Sequence, residues 1–172
     1  MIFQRRQSAP RERVADVLER ELEVLLRVAK RLTLNDTIAE DIVSQTVLIA
    51  FQKWDTFDGG YPRSWLIQIL RNEWLQLVRK RNLRQEIVID AVTEPVEEMF
   101  WKEVDSKLEN QQIQSAIDNL PDDYRIAITL CDVEQMSYEE ASKALEIPLG
   151  TFQSRLFRAR KILRTRLVAH QP

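Results

Sequence analysis

The sequence predicts an all-α protein of two small helical domains joined by an acidic linker. Apolar residues recur at spacings of three and four along most of the chain, as they do on the buried face of an amphipathic helix. Only three glycines and six prolines interrupt 172 residues, of which 44% are hydrophobic, which favours ordered structure with real cores. The periodicity weakens from Gln85, so we place the domains at 11–84 and 111–169 and the linker at 85–110.

The first two helices follow each other closely. The apolar stripe predicted for the first helix comprises Val14, Val17, Leu18, Leu22, Leu25, Val28, Ala29 and Leu32. The second helix can be capped by Asn35 or Asp36 and is stopped by the turn Asp58 to Gly60. Its predicted buried side comprises Ile38, Ile42, Val43, Leu48, Ile49 and Phe51.

The third helix begins at Pro62, which suits a first helical position because its missing N–H costs nothing there. Its apolar side comprises Leu66, Leu70, Trp74, Leu77 and Val78. The opposite side sets Trp65 among Gln68, Asn72, Gln76 and Arg79, a combination that suits unstacked bases. The alternative, that Trp65 packs against a neighbouring helix, stays open at this point.

The second domain has the spacing of a helix-turn-helix. Helical periodicity returns at Ile113, and another helix starts at Pro121 with acids in its first turn. The motif SYEE from Ser137 has the form of a capping box and predicts a short helix, Tyr138 to Leu145. A few residues later Pro148 opens the last helix, so two helices are joined by a short turn.

The last helix has two faces of different chemistry. Its packing face comprises residues within about 60° of Phe152 on a helical wheel, namely Leu156, Ala159, Leu163 and Leu167. The other side comprises Ser154, Phe157, Arg158, Lys161 and Arg164. Cations with an aromatic and no acid fit a DNA major groove, which admits one helix.

Charge is segregated along the chain, although the net charge is only -2. Residues 63–84 hold six Lys/Arg and one acid, Glu73, and residues 150–172 hold six and no acid. Between these basic islands, residues 85–123 hold eleven Asp/Glu and two Lys. The islands predict contact with a polyanion, whereas the acidic stretch repels phosphates and must face water or a basic surface.

Several function classes are disfavoured by composition. The single Cys131 excludes an intramolecular disulfide framework, and the sequence shows no Cys/His cluster for a metal. No signal core and no apolar run of membrane-spanning length occurs, so we expect a cytoplasmic protein without a membrane span. We expect no enzyme and no cofactor, because the only His170 lies next to the terminus and no catalytic set is visible.

Two motif blocks carry a family resemblance. The first is AEDIVSQTVLIAF (Ala39 to Phe51) with PRSWLIQILRN (Pro62 to Asn72) and RKR (79–81), and it resembles domain two of bacterial extracytoplasmic-function (ECF) sigma factors. The second, LPDDYR (120–125) with residues 132–163, is similar to sigma domain four. The resemblance implies promoter recognition and transcription initiation with core RNA polymerase, and commonly an anti-sigma factor as a further partner.

The resemblance also implies residue roles. The polymerase's clamp helices would be bound by Asp41, Gln45 and Thr46. The melted minus-ten element would be captured by Phe57, Asp58, Tyr61, Arg63, Trp65, Arg71, Asn72, Arg79, Lys80 and Arg81. The minus-thirty-five element would be read as duplex by Gln153, Ser154, Arg155, Phe157, Arg158 and Lys161. The acidic linker would lie in the polymerase channel later used by nascent RNA, or it is only a solubilising spacer.

The chain departs from the family pattern at a few positions. Ser44 and Gln45 stand where the family usually has a Gln-acid pair, and Gln153 stands where Lys or Arg is common. Glu146 replaces the usual turn glycine, which costs strain if that residue needs φ > 0. The alternative function is a stand-alone helix-turn-helix regulator, which would explain the second domain but leaves the first domain's basic helix and the linker without a role.

Overall fold

The structure, a computed structural model, describes residues 12–81 and 110–168, without the side chains of Arg81 and Val168. These residues form helices joined by short turns, and no strand occurs among them, which confirms the all-α prediction. None of the helices in the described ranges is long and apolar enough to span a membrane. All of the predicted linker except Asn110 lies outside the described residues.

The first three helices form an N-terminal group. They are α1 (Val14–Thr33), α2 (Asp36–Lys53) and α3 (Pro62–Arg81), with a 3₁₀ turn at Trp54–Thr56. Asn35 caps α2, because its side-chain oxygen accepts from the Ile38 N–H at 3.0 Å. The three helices pack on one another in pairs, and Leu25, Leu66 and Leu70 are fully buried between them.

Three apolar residues that the periodicity assigned to buried faces are exposed, so those predictions were wrong. Leu22 is 45% exposed, Leu48 55% and Phe51 52%. For the two residues of α2, Leu48 and Phe51, the reason is that this helix buries only one narrow face against α1 and α3. That face comprises Ala39, Ile42, Val43, Thr46 and Ala50. Leu48 and Phe51 lie outside that face, where no described helix covers them.

Within residues 110–168 the structure describes four helices, which form the C-terminal group: α4 (Asn110–Asp118), α5 (Asp122–Ile128), α6 (Tyr138–Leu145) and α7 (Leu149–Val168). A π-helical turn, Thr129–Val133, extends α5. Pro121 and Pro148 each stand one residue before a helix rather than at its first position. The predicted capping box is present, with Ser137 Oγ accepting from the Glu140 N–H at 3.2 Å and Glu140 Oε2 accepting from the Ser137 N–H at 3.0 Å.

The two groups of helices pack directly against each other. Helix α6 lies along α3, while α5 and the π-helical turn contact α1. The buried apolar residues of both groups belong to one continuous core. We call this contact between the two groups the seam. The surfaces that the sequence assigns to DNA are described below by their position relative to it.

Candidate nucleic-acid interface

The predicted packing face of α7 is confirmed. Phe152, Leu156, Ala159 and Leu163 are at most 2% exposed, and α4, α5 and α6 all contact this helix. On the other side Lys161 is exposed, and the side chains of Gln153, Phe157 and Arg158 are partly exposed. These four residues form an outer face that carries cations and no acid, which suits phosphate and base contacts in a duplex groove.

Two residues predicted for this outer face are turned inward. Ser154 is only 8% exposed, because helices packed on both flanks of α7 bury a wider face than the apolar stripe alone indicates. The Arg155 side chain is 11% exposed, and its Nη2 lies 3.1 Å from Asp123 Oδ2 of α5. Ser154 therefore cannot read bases in this arrangement, and Arg155 stabilises the packing of α7 on α5.

An aromatic cluster supports the loop between α2 and α3. Phe57 lies 5.0 Å from Trp54 and 5.2 Å from Trp65, and Trp65 meets Trp54 edge-on at 5.7 Å, all between ring centroids. Phe57 is 8% exposed, so in this arrangement it offers little surface to DNA and mainly supports the loop from below. Trp65 is half-buried: it packs against its neighbours and still shows one side to solvent.

Beside this cluster lies an open groove of about 310 Å³. Its lining is mixed aromatic and polar: Thr56, Phe57, Asp58, Gly60, Tyr61, Ser64, Trp65, Gln68 and, from the C-terminal group, Lys143. Asp58 shapes the rim, since its Oδ1 accepts from the Gly60 N–H at 2.8 Å and Gly59 between them has φ +83°. Exposed aromatic faces beside amide groups are what stacked, unpaired bases require.

Arg63, predicted for the melted strand, is engaged in the seam. Its Nε donates to Glu21 Oε2 at 2.6 Å, and its Nη1 donates to the carbonyl oxygen of Glu134 at 3.4 Å. Glu21 is itself only 4% exposed and also accepts from Arg20 Nε at 3.1 Å. The Arg63 side chain keeps 35% of its surface exposed, so it lies at the edge of the seam rather than inside the core.

The remaining basic residues of α3 run from half-buried to exposed. Arg71 and Asn72 are partly buried, whereas Arg79 and Lys80 are exposed, and the Arg81 side chain lies outside the described residues. Burial is the main cause that lowers the pKa of Arg71, with the positive charge of Arg155 acting in the same direction against the attraction of Asp123. Arg71 on α3 is thus close enough to α7 for their charges to interact.

The outer face of α2 carries the predicted polymerase contacts only in part. Asp41 and Gln45 are exposed, but Thr46 is fully buried and its Oγ1 donates to the Ile42 carbonyl at 2.8 Å. Thr46 points into the core because it shares the spacing of the buried face, so that assignment was wrong. The sequence reading missed Leu48, which follows Asp41 and Gln45 at helical spacing and extends their face with exposed apolar surface.

Sequence reasoning also missed residues that reach across the seam. Lys143 Nζ lies 4.2 Å from the centroid of the Tyr61 ring, and the carboxylate of Glu134 holds Arg27. No local signal indicates such partners, because 82 and 107 positions separate them along the chain.

Comparisons with known proteins cover both groups of helices. The family model for sigma-70 region 2 matches residues 17–84, and the model for sigma-70 region 4 matches residues 110–163. The ECF RNA polymerase sigma factor SigE of Mycolicibacterium smegmatis is 36% identical over 148 residues, which are 84% of this chain and 57% of that protein. ECF sigma factor SigM of Bacillus subtilis is 31% identical over 77% of this chain and 82% of its own length.

Among solved structures, the fold is similar to the sigma factor RpoE from Bartonella quintana, which was solved in complex with the anti-sigma factor NepR. The two share 30% identity with a TM-score of 0.70, covering 91% of this chain and 98% of the other. Similarity of this extent in both sequence and fold, over both helical groups, shows that the chain belongs to the ECF sigma factors of the sigma-70 family.

Proposed function

We propose that this chain is the promoter-recognition subunit that directs core RNA polymerase to initiate transcription, and that it acts by binding and does no chemistry of its own. The observation that carries the proposal is the presence, on one chain, of two different nucleic-acid surfaces. The outer face of α7 suits duplex DNA, while the aromatic groove beside α3 suits unpaired bases. A protein that recognises a promoter and then holds it open needs both.

In this proposal α7 reads the minus-thirty-five element. Arg158 and Lys161 are the cations best placed to reach the duplex, with Gln153 and Phe157 beside them. The groove captures the melted minus-ten strand through Tyr61, Trp65, Gln68 and Asn72, while Arg79 and Lys80 contact its backbone. Arg63 and Arg71 belong to the same proposed set of contacts. The domain boundaries 11–84 and 111–169 stay a proposal of the same kind.

The outer face of α2 is the proposed polymerase contact. Asp41 and Gln45 supply polar groups, and Leu48 and Phe51 supply more than half-exposed apolar side chains beside them. Apolar surface left uncovered on a helix is typical of a docking site for another protein. The structural relative was solved with an anti-sigma factor, which supports the proposal that a protein of that kind also binds here. Because polymerase works in the cytoplasm, we propose that location.

Transcription from a promoter library tests the function directly. Purified core polymerase of the source bacterium is mixed with templates in which the upstream region is randomised, with and without this chain. The expected result is a set of start sites that appears only with the chain and shares two upstream elements. Core polymerase that initiates equally on all templates in both mixtures would contradict the proposal.

The alternative, a stand-alone regulator, is separated by a gel shift on a selected promoter. A stand-alone helix-turn-helix protein binds its duplex site without polymerase. The sigma proposal predicts that the chain alone binds that duplex weakly and that a specific shift requires core polymerase. A specific shift of the same affinity with and without polymerase would favour the regulator.

The groove is tested on a promoter that carries a pre-melted bubble. Tyr61→Ala removes an exposed ring from the groove rim while leaving the buried cluster of Trp54, Phe57 and Trp65 in place. If the groove captures unpaired bases, open-complex formation falls on duplex and bubble templates alike, because each stacked base contributes about 1–3 kcal/mol. A defect that disappears on the bubble template would limit Tyr61 to the nucleation of melting.

A further inference from the structure

Two ion pairs hold the edges of the packing face of α7. On the helical wheel Arg155 lies about 60° to one side of Phe152, and Arg160 lies about 80° to the other side. Arg155 Nη2 lies 3.1 Å from Asp123 Oδ2 of α5. Arg160 pairs with Asp132, which belongs to the π-helical turn that extends α5. Helix α7 is therefore fastened at both edges to one stretch of chain within the C-terminal group.

The pair between Arg160 and Asp132 is directional. Arg160 Nε donates to Asp132 Oδ2 at 3.1 Å, and its Nη2 donates to Oδ1 at 2.6 Å, so two parallel hydrogen bonds join the groups. The Asp132 side chain is 3% exposed and the Arg160 side chain 12%. Tyr138, the first residue of α6, accepts a further hydrogen bond from Arg160. A planar guanidinium held at several points has one orientation, so this contact fixes direction as well as distance.

The turn that carries Asp132 is itself held by hydrogen bonds. The Glu134 N–H donates to the Thr129 carbonyl at 2.9 Å, five residues back, which is the hydrogen-bond pattern of a π-helix. Gln135 Nε2 donates to the Asp132 carbonyl at 2.8 Å. Asp132 thus stands on a supported backbone, as a side chain that holds another in place requires.

The rotation of α7 about its axis decides which of its side chains reach base edges. Successive residues of a helix differ by about 100°, and a recognition group has to be held within about 10–20° of its productive direction. Arg158 and Lys161 flank Arg160 in sequence, and both belong to the outer face. A small rotation of the helix would turn both of them away from the bases they are proposed to contact.

We propose that the Asp132–Arg160 pair fixes the rotation of α7 about its own axis, and that Asp132 and Arg160 are positioning residues for the readout of the upstream element. Arg160 keeps Asp132 as its partner when duplex DNA is bound, and the DNA contacts are left to residues such as Arg158 and Lys161. Readout by α7 rests on the proposed function, whereas the pair itself is a contact within the C-terminal group.

Discrimination between base pairs tests this role. The polymerase complex is titrated with a selected promoter and with copies that carry single substitutions in the upstream element. For the parent, a substitution at a contacted position should lower the affinity by about 5- to 150-fold. Asp132→Asn replaces one of the two acceptor oxygens by a donor, at a buried position that cannot itself reach DNA. We expect this variant to bind the substituted and the selected promoters with similar affinity.

Thr129→Val is the matched control for a loss of stability alone. It removes a buried hydrogen bond of the same turn, from Thr129 Oγ1 to the Arg125 carbonyl at 2.8 Å. This bond stays within α5 and its extension, so the variant should keep the discrimination of the parent.

Two changes at Arg160 separate positioning from a phosphate contact. Arg160→Lys keeps the positive charge but cannot form two parallel hydrogen bonds, and Arg160→Gln loses the charge as well. A positioning role predicts that both variants lose discrimination. Arg160→Lys with the affinity and the discrimination of the parent would overturn the proposal in favour of a phosphate contact.

A double variant keeps the test valid if the single changes prevent folding, which circular dichroism would show. Asp132→Leu with Arg160→Met replaces the buried pair by apolar side chains, an exchange that often preserves stability. Because apolar contact has no preferred direction, we expect a folded chain that discriminates poorly. Discrimination like that of the parent, in this variant or in a folded Asp132→Asn, would overturn the proposal. Failure of the proposed function looks different, since the parent itself would then bind all the promoters alike.

Discussion

The two candidate DNA-binding helices, α3 and α7, differ in which parts of the chain surround them. Helix α7 turns one face to its own group and presents Arg158 and Lys161 on the other, and neither residue belongs to the ion pairs that form the seam. Helix α3 is also contacted by three helices, α1, α2 and α6, but one of these, α6, belongs to the other group. Its candidate DNA residues Arg63 and Arg71 are partly buried at or near the seam.

One chain thus presents a face that a single group builds and a groove to which both groups contribute, since Lys143 lines the groove beside residues of α3. The two surfaces can therefore be disrupted separately. Substitutions can test the two helices separately, first at the buried residue that holds each helix in place and last at the turn that joins α6 to α7.

The largest effect is expected when a helix loses its anchor. Phe152 is the largest fully buried side chain of α7, and Phe152→Ala should lower the free energy of unfolding by about 3–5 kcal/mol. The matched change on α3 is Leu70→Ala, also at a fully buried position, for which we expect about 2–5 kcal/mol. Urea unfolding followed by circular dichroism measures both. A loss below about 1 kcal/mol in either variant would contradict the packing assigned to that helix.

Smaller and more specific effects are expected on the outer face of α7. Arg158→Ala and Lys161→Ala should each weaken promoter binding by the polymerase complex, by about 1–3 kcal/mol at a base-reading position, and leave core binding intact. Arg155→Ala provides the contrast, because the Arg155 guanidinium is paired with Asp123. This change should mainly lower the free energy of unfolding. Footprinting of the upstream element with each variant makes the comparison. Normal occupancy with both Arg158→Ala and Lys161→Ala would remove α7 from duplex recognition.

Most of the fold could be predicted from the sequence, since it depends on local signals. The Asn35 cap, the Ser137 capping box and the start of α3 at Pro62 involve residues within a few positions of each other, and the structure has them all. The family resemblance likewise came from contiguous motifs.

Exposure could not be predicted equally well, because it depends on which distant helices cover a face. Thr46, Ser154 and Phe57 are polar or loop residues that look accessible in sequence, and neighbouring helices or rings bury all three. Leu48 and Phe51 fail in the opposite direction, since apolar character predicted burial and no described helix covers them. The seam escaped prediction for the same reason: Arg27 and Glu134 are far apart along the chain.

The N-terminal cap of α6, which also contacts α3, makes the stability of the protein depend on pH. Hydrogen bonds from the Ser137 backbone N–H and hydroxyl lower the pKa of Glu140, whose carbonyl receives Ser64 of α3. The folded chain thus binds this proton more weakly than the unfolded chain does. The stabilisation is present above the ordinary glutamate value of about 4.3 and is lost as the pH falls toward the lower folded value. Urea unfolding of the parent and Glu140→Gln across this range should show the difference between them shrinking with acid.

Helix α6 should also lose stability at neutral pH when its N-cap side chain is removed. Ser137→Ala deletes the acceptor for the Glu140 N–H and should cost about 1 kcal/mol. The matched control is Ser115→Ala, at an exposed position of α4 whose side chain caps no helix. The pH test has its own contradicting outcome. If the difference in free energy of unfolding between the parent and Glu140→Gln stayed constant from neutral to acid pH, the pKa of Glu140 would not be coupled to folding.

The smallest effect concerns the turn between the helix that touches α3 and the helix that faces duplex DNA. Glu146 ends α6 with φ 53° and ψ 40°, a left-handed conformation that strains a side chain and suits glycine. The strain anticipated for a residue in place of the usual turn glycine is therefore present. Glu146→Gly should raise the free energy of unfolding by about 0.5–1 kcal/mol, because relief of the strain outweighs the added freedom of the unfolded chain. Glu139→Gly is the contrasting variant: Glu139 lies within the first turn of α6, so glycine there should destabilise by a similar amount. A loss of stability in Glu146→Gly would mean that the Glu146 side chain contributes more to joining α6 and α7 than its backbone costs.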